Sequence, residues 1–324
     1  MNFAILATGG IANTMANTVT KMEGVICYAV ASRNFEKAQS FADKWGFEKA
    51  YGSYEEMLSD PDVELVYVCT PHSHHYQYAK MCLEYGKHVL VEKAFTVSAK
   101  QAAELIRISK EKNLLIAEAM WTRYMPSRKM LDEVLERGVI GEVNSLTANL
   151  GYPISHVERL MNPALAGGAL LDLGVYTINF AVMIFKDNII KISSDAVMSD
   201  TGVDISNSIT LTFEGGKMAV LHSTMMSQPN RMGVICGSKG YVEVQNINNC
   251  EEIRVYDNNN RLISRLTPPA QITGFEYEVE ACVRAIKEGK CECEDMPHSE
   301  IIKVMEIMDK LREQWGMKLP CEEC

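Results

Sequence analysis

The sequence predicts two domains in tandem. The first is an α/β domain with a parallel sheet and helices on both faces; the second is an α+β domain on a large, mostly antiparallel sheet. Three observations predict this. Residues 1–120 alternate short continuous apolar runs with helical patterns, as strands covered on both faces and joined by crossover helices do. From Gly141 onward the apolar residues alternate with polar ones, which marks strands with one solvated face. The chain has 324 residues, enough for about two domains. Domains are therefore expected at 1–120 and 121–324, with the C-terminal helix able to pack back on either.

In the first domain, strands are read at Phe3–Ala7, Val25–Ala31, Leu65–Thr70, His88–Val91 and Leu115–Ala117. Helix starts are marked by Ser53 with Glu56 and by Ser98 with Gln101, two capping boxes. Gly46 and Gly86 fall where left-handed helix ends belong. In the second domain, Ile209, Leu211 and Phe213 share one strand face, and Gly215-Gly216 turns a hairpin. Further strands are expected at Ile190–Met198, Gly233–Cys236, Tyr241–Val244, Ile253–Tyr256 and Leu262–Leu266. Helices are expected near Leu173–Phe185, Phe275–Lys287 and Glu300–Trp315.

Composition narrows the function classes. Hydrophobic residues make up 47% and charged residues 23%, ordinary for a protein with real cores. The net charge of −10, without a dense basic block, argues against nucleic acid or an anionic membrane as partner. The N-terminus reads as a strand rather than a signal peptide. No apolar run is read as reaching the ~18 residues of a membrane span. The ten cysteines mostly sit singly in apolar contexts, as reduced thiols of a cytoplasmic protein do. Of the pairs Cys291/Cys293 and Cys321/Cys324, the first lacks zinc-knuckle spacing and the second sits at the chain end, where fraying is expected, so no metal is expected.

The chemistry is expected at the carboxyl ends of the parallel strands. After the first strand, Ala7 to Asn13 approximates a dinucleotide fingerprint, with Ala7, Gly9 and Ala12 at its three special positions. Gly9, Gly10, Ile11 and Ala12 would bring backbone amides and a helix N-terminus to a pyrophosphate. After the second strand come Ser32 and Arg33, with no acid. A guanidinium suits an adenosine 2′-phosphate, so NADP(H) is preferred with NAD(H) possible, unless Arg33 is simply a solvated loop residue. Thr70, Pro71, His72 and His75 follow the third strand and are expected to line the cofactor. The histidines there are too close together to converge on one metal ion. Tyr76 and Lys80 imitate the catalytic pair of short-chain dehydrogenases, but read better as helix packing.

Glu92 and Lys93 end the next strand, where Lys93 could reach a substrate hydroxyl or mark a solvated strand end. Asp172 and Tyr176 are four apart and share a helix face. Tyr176 could act as general acid beside an ammonium; alternatively Asp172 caps the helix and Tyr176 packs in it.

The stretches "ATGGIA", "YGSYEEML", "VEKA", "AEAMWTRYMP" and "GGALLDLGVYTI" together resemble the Gfo/Idh/MocA family of NAD(P)-dependent oxidoreductases. The members most similar are dimeric dihydrodiol dehydrogenases and NADP-dependent xylose or glucose dehydrogenases, and the resemblance spans almost the whole chain. It implies a Rossmann domain followed by an open-faced sheet domain that pairs into a homodimer or higher homo-oligomer. It implies a catalytic or substrate-orienting Lys93, a general acid/base Tyr176 and an orienting Asp172. Trp121 and Arg123, with Glu92, would lie near the cofactor and pocket. It further implies a sugar or diol substrate. Two positions depart from the family: Ala94 stands for the proline of Glu-Lys-Pro, near which members often have a cis bond, and Ala7 stands for the first fingerprint glycine. The alternatives are a reductase of an imine or linear tetrapyrrole, or a catalytically silent NADPH-binding regulator.

Overall fold

In the computed structural model, which describes residues 1–323, the chain divides into two units: Met1–Tyr124 with Gln271–Met305, and Met125–Ala270 with the chain from Glu306 onward. Cys324 of the Cys321/Cys324 pair lies outside the described residues.

The first unit opens with β1 (Asn2–Leu6), α1 (Gly10–Val19), β2 (Ile26–Ala31), α2 (Phe35–Trp45), β3 (Lys49–Tyr51) and α3 (Tyr54–Ser59). It continues through β4 (Leu65–Val68), α4 (His72–Glu84), β5 (His88–Glu92), α5 (Ala99–Lys112) and β6 (Ile116–Ala119). The six strands run in the order β3-β2-β1-β4-β5-β6, and every pairing is parallel. Phe3 to Leu6 and Leu65 to Val68 are fully buried, as their unbroken apolar runs require of a sheet covered twice. The strand order reverses at β1 and β4, which opens a crevice beyond their carboxyl ends.

Local signals hold where they were read. Ser53 Oγ accepts the Glu56 N–H at 3.2 Å, and Ser98 Oγ accepts the Gln101 N–H at 3.4 Å. Gly46, at φ 72°, closes α2 in the left-handed conformation. Strand ends shift by a residue or two. β1 stops at Leu6 because the chain turns at Ala7, and β5 runs on to Glu92. Strand β3 was not expected; at three residues it shows no period, and pairing with β2 makes it a strand.

The second unit holds α6 (Pro126–Glu136), β7 (Val143–Gly151) and a π-helical turn, Leu170–Gly174, leading into α7 (Val175–Ile184). Strands β8 (Ile189–Met198), β9 (Asp204–Phe213), β10 (Met218–Thr224), β11 (Gly233–Gly237), β12 (Gly240–Gln245), β13 (Glu252–Asp257) and β14 (Leu262–Leu266) follow. Helices α8 (Glu276–Lys287) and α9 (His298–Trp315) end the chain's regular structure; α8 and the start of α9 belong to the first unit. The sheet order is β14-β13-β12-β11-β7-β10-β9-β8, antiparallel except for the central β7–β10 pair. The β9–β10 hairpin turns through Gly215 (φ 74°) and Gly216 (φ 79°), a region few other residues adopt. Helix α6 and strand β7 were not foreseen. β7 buries Leu146, Ala148 and Leu150 on one face, but Ala148 and the neighbouring Asn149 carry little strand propensity.

Every residue of α7 from Val175 to Met183 is buried, so the helix is covered all round. Pro163–Ile184 is apolar and long enough by composition to cross a membrane, which corrects the reading that no such stretch exists. In the fold, 94% of its apolar window is buried inside the protein. Helix α7 lies against β7 and β10. On the opposite side of β10, Met218 and Val220 are 43% and 46% exposed.

Candidate active site

The first unit carries a cradle for a dinucleotide. Ala7 adopts φ 98°, the region the missing fingerprint glycine would occupy freely. Gly9 then caps α1 with no side chain over the first-turn amides. A Cβ built on Gly9 or Gly10 meets nothing within 4 Å, so the turn is open to an approaching phosphate. Ala12, fully buried, packs the helix close to the sheet. Ile11 is half-buried beside it. These amides and the dipole of α1 suit an anion.

A cleft of about 630 Å³ adjoins this turn, lined by Thr8, Gly9, Glu36, Lys37, Ser40, Phe41 and Lys44. Ser32 is buried at the end of β2, and its hydroxyl accepts the Asn34 N–H at 3.3 Å. Arg33 is exposed beside it. Lys37 and Lys44 went unnoticed in the sequence. They lie one and three helical turns into α2, and only the fold sets them opposite Gly9. At the end of β4, the Thr70 hydroxyl is buried with no hydrogen-bond partner, an orphan that a bound ligand could satisfy. Open glycine amides, local cations and an orphaned hydroxyl at the switch point fit a nicotinamide dinucleotide.

The histidines after β4 do different things. His72 is buried edge-on to His75, with ring centres 5.6 Å apart. His74 stacks on Tyr78. His75 is fully buried, with Nδ1 2.8 Å from Ala94 O and Nε2 2.9 Å from Thr70 O. Burial pushes its imidazole down to about 4. Expected to line the cofactor, His75 is fully buried with both ring nitrogens against backbone carbonyls, tying the chain after β4 to the chain after β5. The Tyr76 hydroxyl accepts from Lys80 Nζ at 3.3 Å, and Lys80 also bonds Glu104 at 2.8 Å, so this pair ties α4 to α5. Pro71 caps α4.

Lys93 is half-buried just past β5, and its peptide bond to Ala94 is cis. Its backbone N–H donates to Glu92 Oε2 at 3.2 Å. The Glu92 carboxylate is buried and accepts from the Tyr67 hydroxyl. Trp121 stacks on Phe275 at 4.4 Å, and buried Arg123 pairs with Glu300.

In the second unit, Asp172 lies inside the π-helical turn rather than capping a helix, and Tyr176 sits in the first turn of α7. π-turns recur at functional sites. Both side chains are buried, and Arg159 reaches Asp172 at 3.5 Å. The turn is braced by Asp204, whose carboxylate accepts the Leu170 N–H at 2.9 Å and the Asn207 amide at 2.8 Å. Burial pushes Asp204 up to about 6 against those hydrogen bonds. A Cβ on Gly168, at φ 117°, would come 2.4 Å from Asp204 Oδ1, so only glycine lets the chain pass there. Little in the local sequence marks Asp204: Asn207 is three residues on, but the Leu170 amide that it braces lies 34 residues upstream.

Residues 1–119 match the model of an oxidoreductase family with an NAD-binding Rossmann fold, and residues 129–243 match the GFO/IDH/MocA C-terminal domain. The chain is similar to trans-1,2-dihydrobenzene-1,2-diol dehydrogenase of Xenopus tropicalis, at 33% identity over 98% of this chain and 99% of that one. It is 32% identical to the Homo sapiens enzyme of the same name, over 90% and 89%. Among solved structures, its fold is shared by a 3-ketoreductase from Actinomadura kijaniata in complex with NADP and TDP-benzene, with TM-score 0.87, 23% identity and 97% coverage of both chains. The aldose-aldose oxidoreductase from Caulobacter crescentus gives TM-score 0.87 at 21% identity, covering 98% of both chains. With a parallel cofactor sheet, an open antiparallel sheet and relatives of this identity along nearly its full length, the chain belongs to the Gfo/Idh/MocA family and is an NAD(P)-dependent oxidoreductase.

Proposed function

We propose that the protein catalyses reversible hydride transfer between NADP(H) and a secondary-alcohol carbon of a sugar or trans-diol. The observation that carries this is Lys93, presented at the carboxyl end of β5 on the sheet edge that also bears the open Gly9-Gly10 turn. The relatives named as dihydrodiol dehydrogenases support the substrate class. The first domain would bind the dinucleotide and the second the substrate.

The cofactor, when bound, exchanges a hydride with the substrate carbon. The chain's own residues manage the rest. The amides of Gly9 to Ala12 hold the pyrophosphate, and Arg33, with Lys37 beside the cleft, selects the 2′-phosphate. Tyr176 takes the hydroxyl proton in the oxidation direction and returns it in reduction. The Lys93 ammonium holds the substrate oxygen as its charge develops. Asp172, itself held by Arg159, orients the substrate or Tyr176. The exposed apolar residues Met218 and Val220 of β10 and Val197 of β8 would help pair two copies into a homodimer through the antiparallel sheet. The described cysteines are all free thiols, which suits a cytoplasmic setting.

Titration of NADPH and NADH into the wild type and Arg33→Ala tests the cofactor assignment. The wild type is expected to favour NADPH. Arg33→Ala should weaken NADPH by roughly 10–100-fold, the scale of a hydrogen bond to a charged group, and leave NADH nearly unchanged. Equal affinities in the wild type would refute the selectivity. Absorbance assays over a panel of aldoses and diols then identify the substrate, and no turnover on any of them would count against the class.

A further inference from the structure

Ala94 C=O and Phe95 N–H belong to one peptide group, the second after Lys93. Two buried side chains hold it from opposite ends. His75 Nδ1 lies 2.8 Å from the carbonyl oxygen, and Glu118 Oε1 accepts the Phe95 N–H at 3.0 Å. His75 comes from α4 and Glu118 from β6, so the peptide is spanned by elements on either side of β5. His75 is 0% and Glu118 1% exposed. Neither is placed to meet a substrate, yet a buried carboxylate and imidazole are costly to keep unless they hold something.

We propose that His75 and Glu118 are positioning residues of the hydride-transfer site, clamping the Ala94–Phe95 peptide and so fixing the backbone from which Lys93 projects. The proposal rests on the reading of Lys93 as catalytic. Position 94 is alanine, whose φ is not locked by a ring as proline's is, so its conformation depends on such outside contacts. A neutral imidazole carries one N–H while two carbonyls face this ring, so the clamp requires the proton on Nδ1, with Nε2 left against Thr70 O.

The groups facing Glu118 are Glu92 and Lys93 beside β5, Arg123 and Tyr124 after β6, and Glu278 on α8. Glu278 is fully buried, and neither of its oxygens has a hydrogen-bond partner. Burial, and after it the neighbouring Glu92, drive its carboxyl well above the usual range. Burial raises Glu118 to about 7 against the Phe95 N–H and Arg123. Its grip therefore strengthens as pH rises through neutrality, since an ionised acceptor makes the stronger bond.

The test uses the full-length protein. In protein labelled with ¹⁵N-phenylalanine, the Phe95 amide is expected to titrate near neutral pH in the wild type and to stay flat in the near-isosteric Glu118→Gln. With NADPH saturating, His75→Leu and Glu118→Ala should each lower kcat by about 100-fold, the scale of a misplaced catalytic group, with the Kd of NADPH changed less than about threefold. His75→Asn, which restores a donor near Nδ1, and Glu118→Gln, which restores an acceptor, should each recover about tenfold of that loss. A Phe95 amide whose chemical shift and pH dependence are the same in Glu118→Gln as in the wild type overturns the clamp even if the truncated variants fail to fold. Truncations that lower Tm but leave kcat intact overturn the positioning role. Full activity of Lys93→Met would instead remove the underlying reading, and the Phe95 titration would still report on the clamp itself.

Discussion

At the scale of single residues, the first turn shows how a departure from a motif can keep the motif's geometry. Ala7 holds φ 98°, where its Cβ crowds the backbone and a glycine would not. Ala7→Gly is expected to relieve about 1–2 kcal/mol of strain, less about 0.4–1 kcal/mol for the freer unfolded chain. Thermal melting of the variant should therefore rise slightly, with NADPH affinity unchanged or improved; a lower Tm would contradict the strain. The places of Gly9, Arg33 and Lys93 were legible because each lies within three residues of a strand's end, and strand ends can be seen in the apolar pattern. His75, Glu118 and Asp204 were not. His75 reads as one of three crowded histidines, and its partner Ala94 O lies 19 residues away. Glu118 sits within a buried strand where a local pattern offers no reason for a carboxylate, and its reason is the Phe95 amide 23 residues upstream.

At the scale of elements, the π-turn entering α7 decides where Asp172 and Tyr176 point. The helix was legible near Leu173–Phe185 from its apolar stretch, but the π-turn over Leu170–Gly174 that leads into it was not. A π-turn leaves no sequence signature comparable to a capping box. What holds it is Asp204 on β9, and that carboxyl has its own pH signature. Its folded-state pKa is raised, so its stabilising contribution is complete below the unfolded value near 4. It is lost as pH rises to about 6. The loss is about 2–3 kcal/mol at about 1.4 kcal/mol per pKa unit. Melting curves of the wild type and Asp204→Asn between pH 4 and 8 check the sign: the wild type should lose stability relative to the variant over that window, then run parallel above it. A wild type that instead gains stability on the variant as pH rises from 4 to 6 would show the carboxyl to be favoured as an anion.

At the scale of the whole molecule, both sheets follow from the contrast between continuous and alternating apolar runs, which is why the fold classes could be read before any contact was known. The alternating sheet leaves Met218 and Val220 of β10 and Ile190 and Val197 of β8 exposed on strands that neighbour β9 on either side. Val220→Lys is expected to turn a dimer into a monomer in sedimentation or light scattering, with the monomer's Tm little changed. A wild type that is already monomeric at micromolar concentration would remove the pairing. What remained illegible at this scale is the return of α8 to the first unit, where Glu278 joins Glu92 and Glu118. No composition shift announces that a late helix will rejoin an early domain.

The central claim is that Lys93 acts in the chemical step rather than in holding the cofactor, and Lys93→Met tests it most directly. It removes the charge while keeping most of the side-chain length. The account predicts a fall in kcat of about 10²–10⁴-fold, the range for a lost acid–base partner, with the Kd of NADPH unchanged within about threefold. A variant that keeps full kcat, or one that loses NADPH binding in proportion to activity, would contradict it.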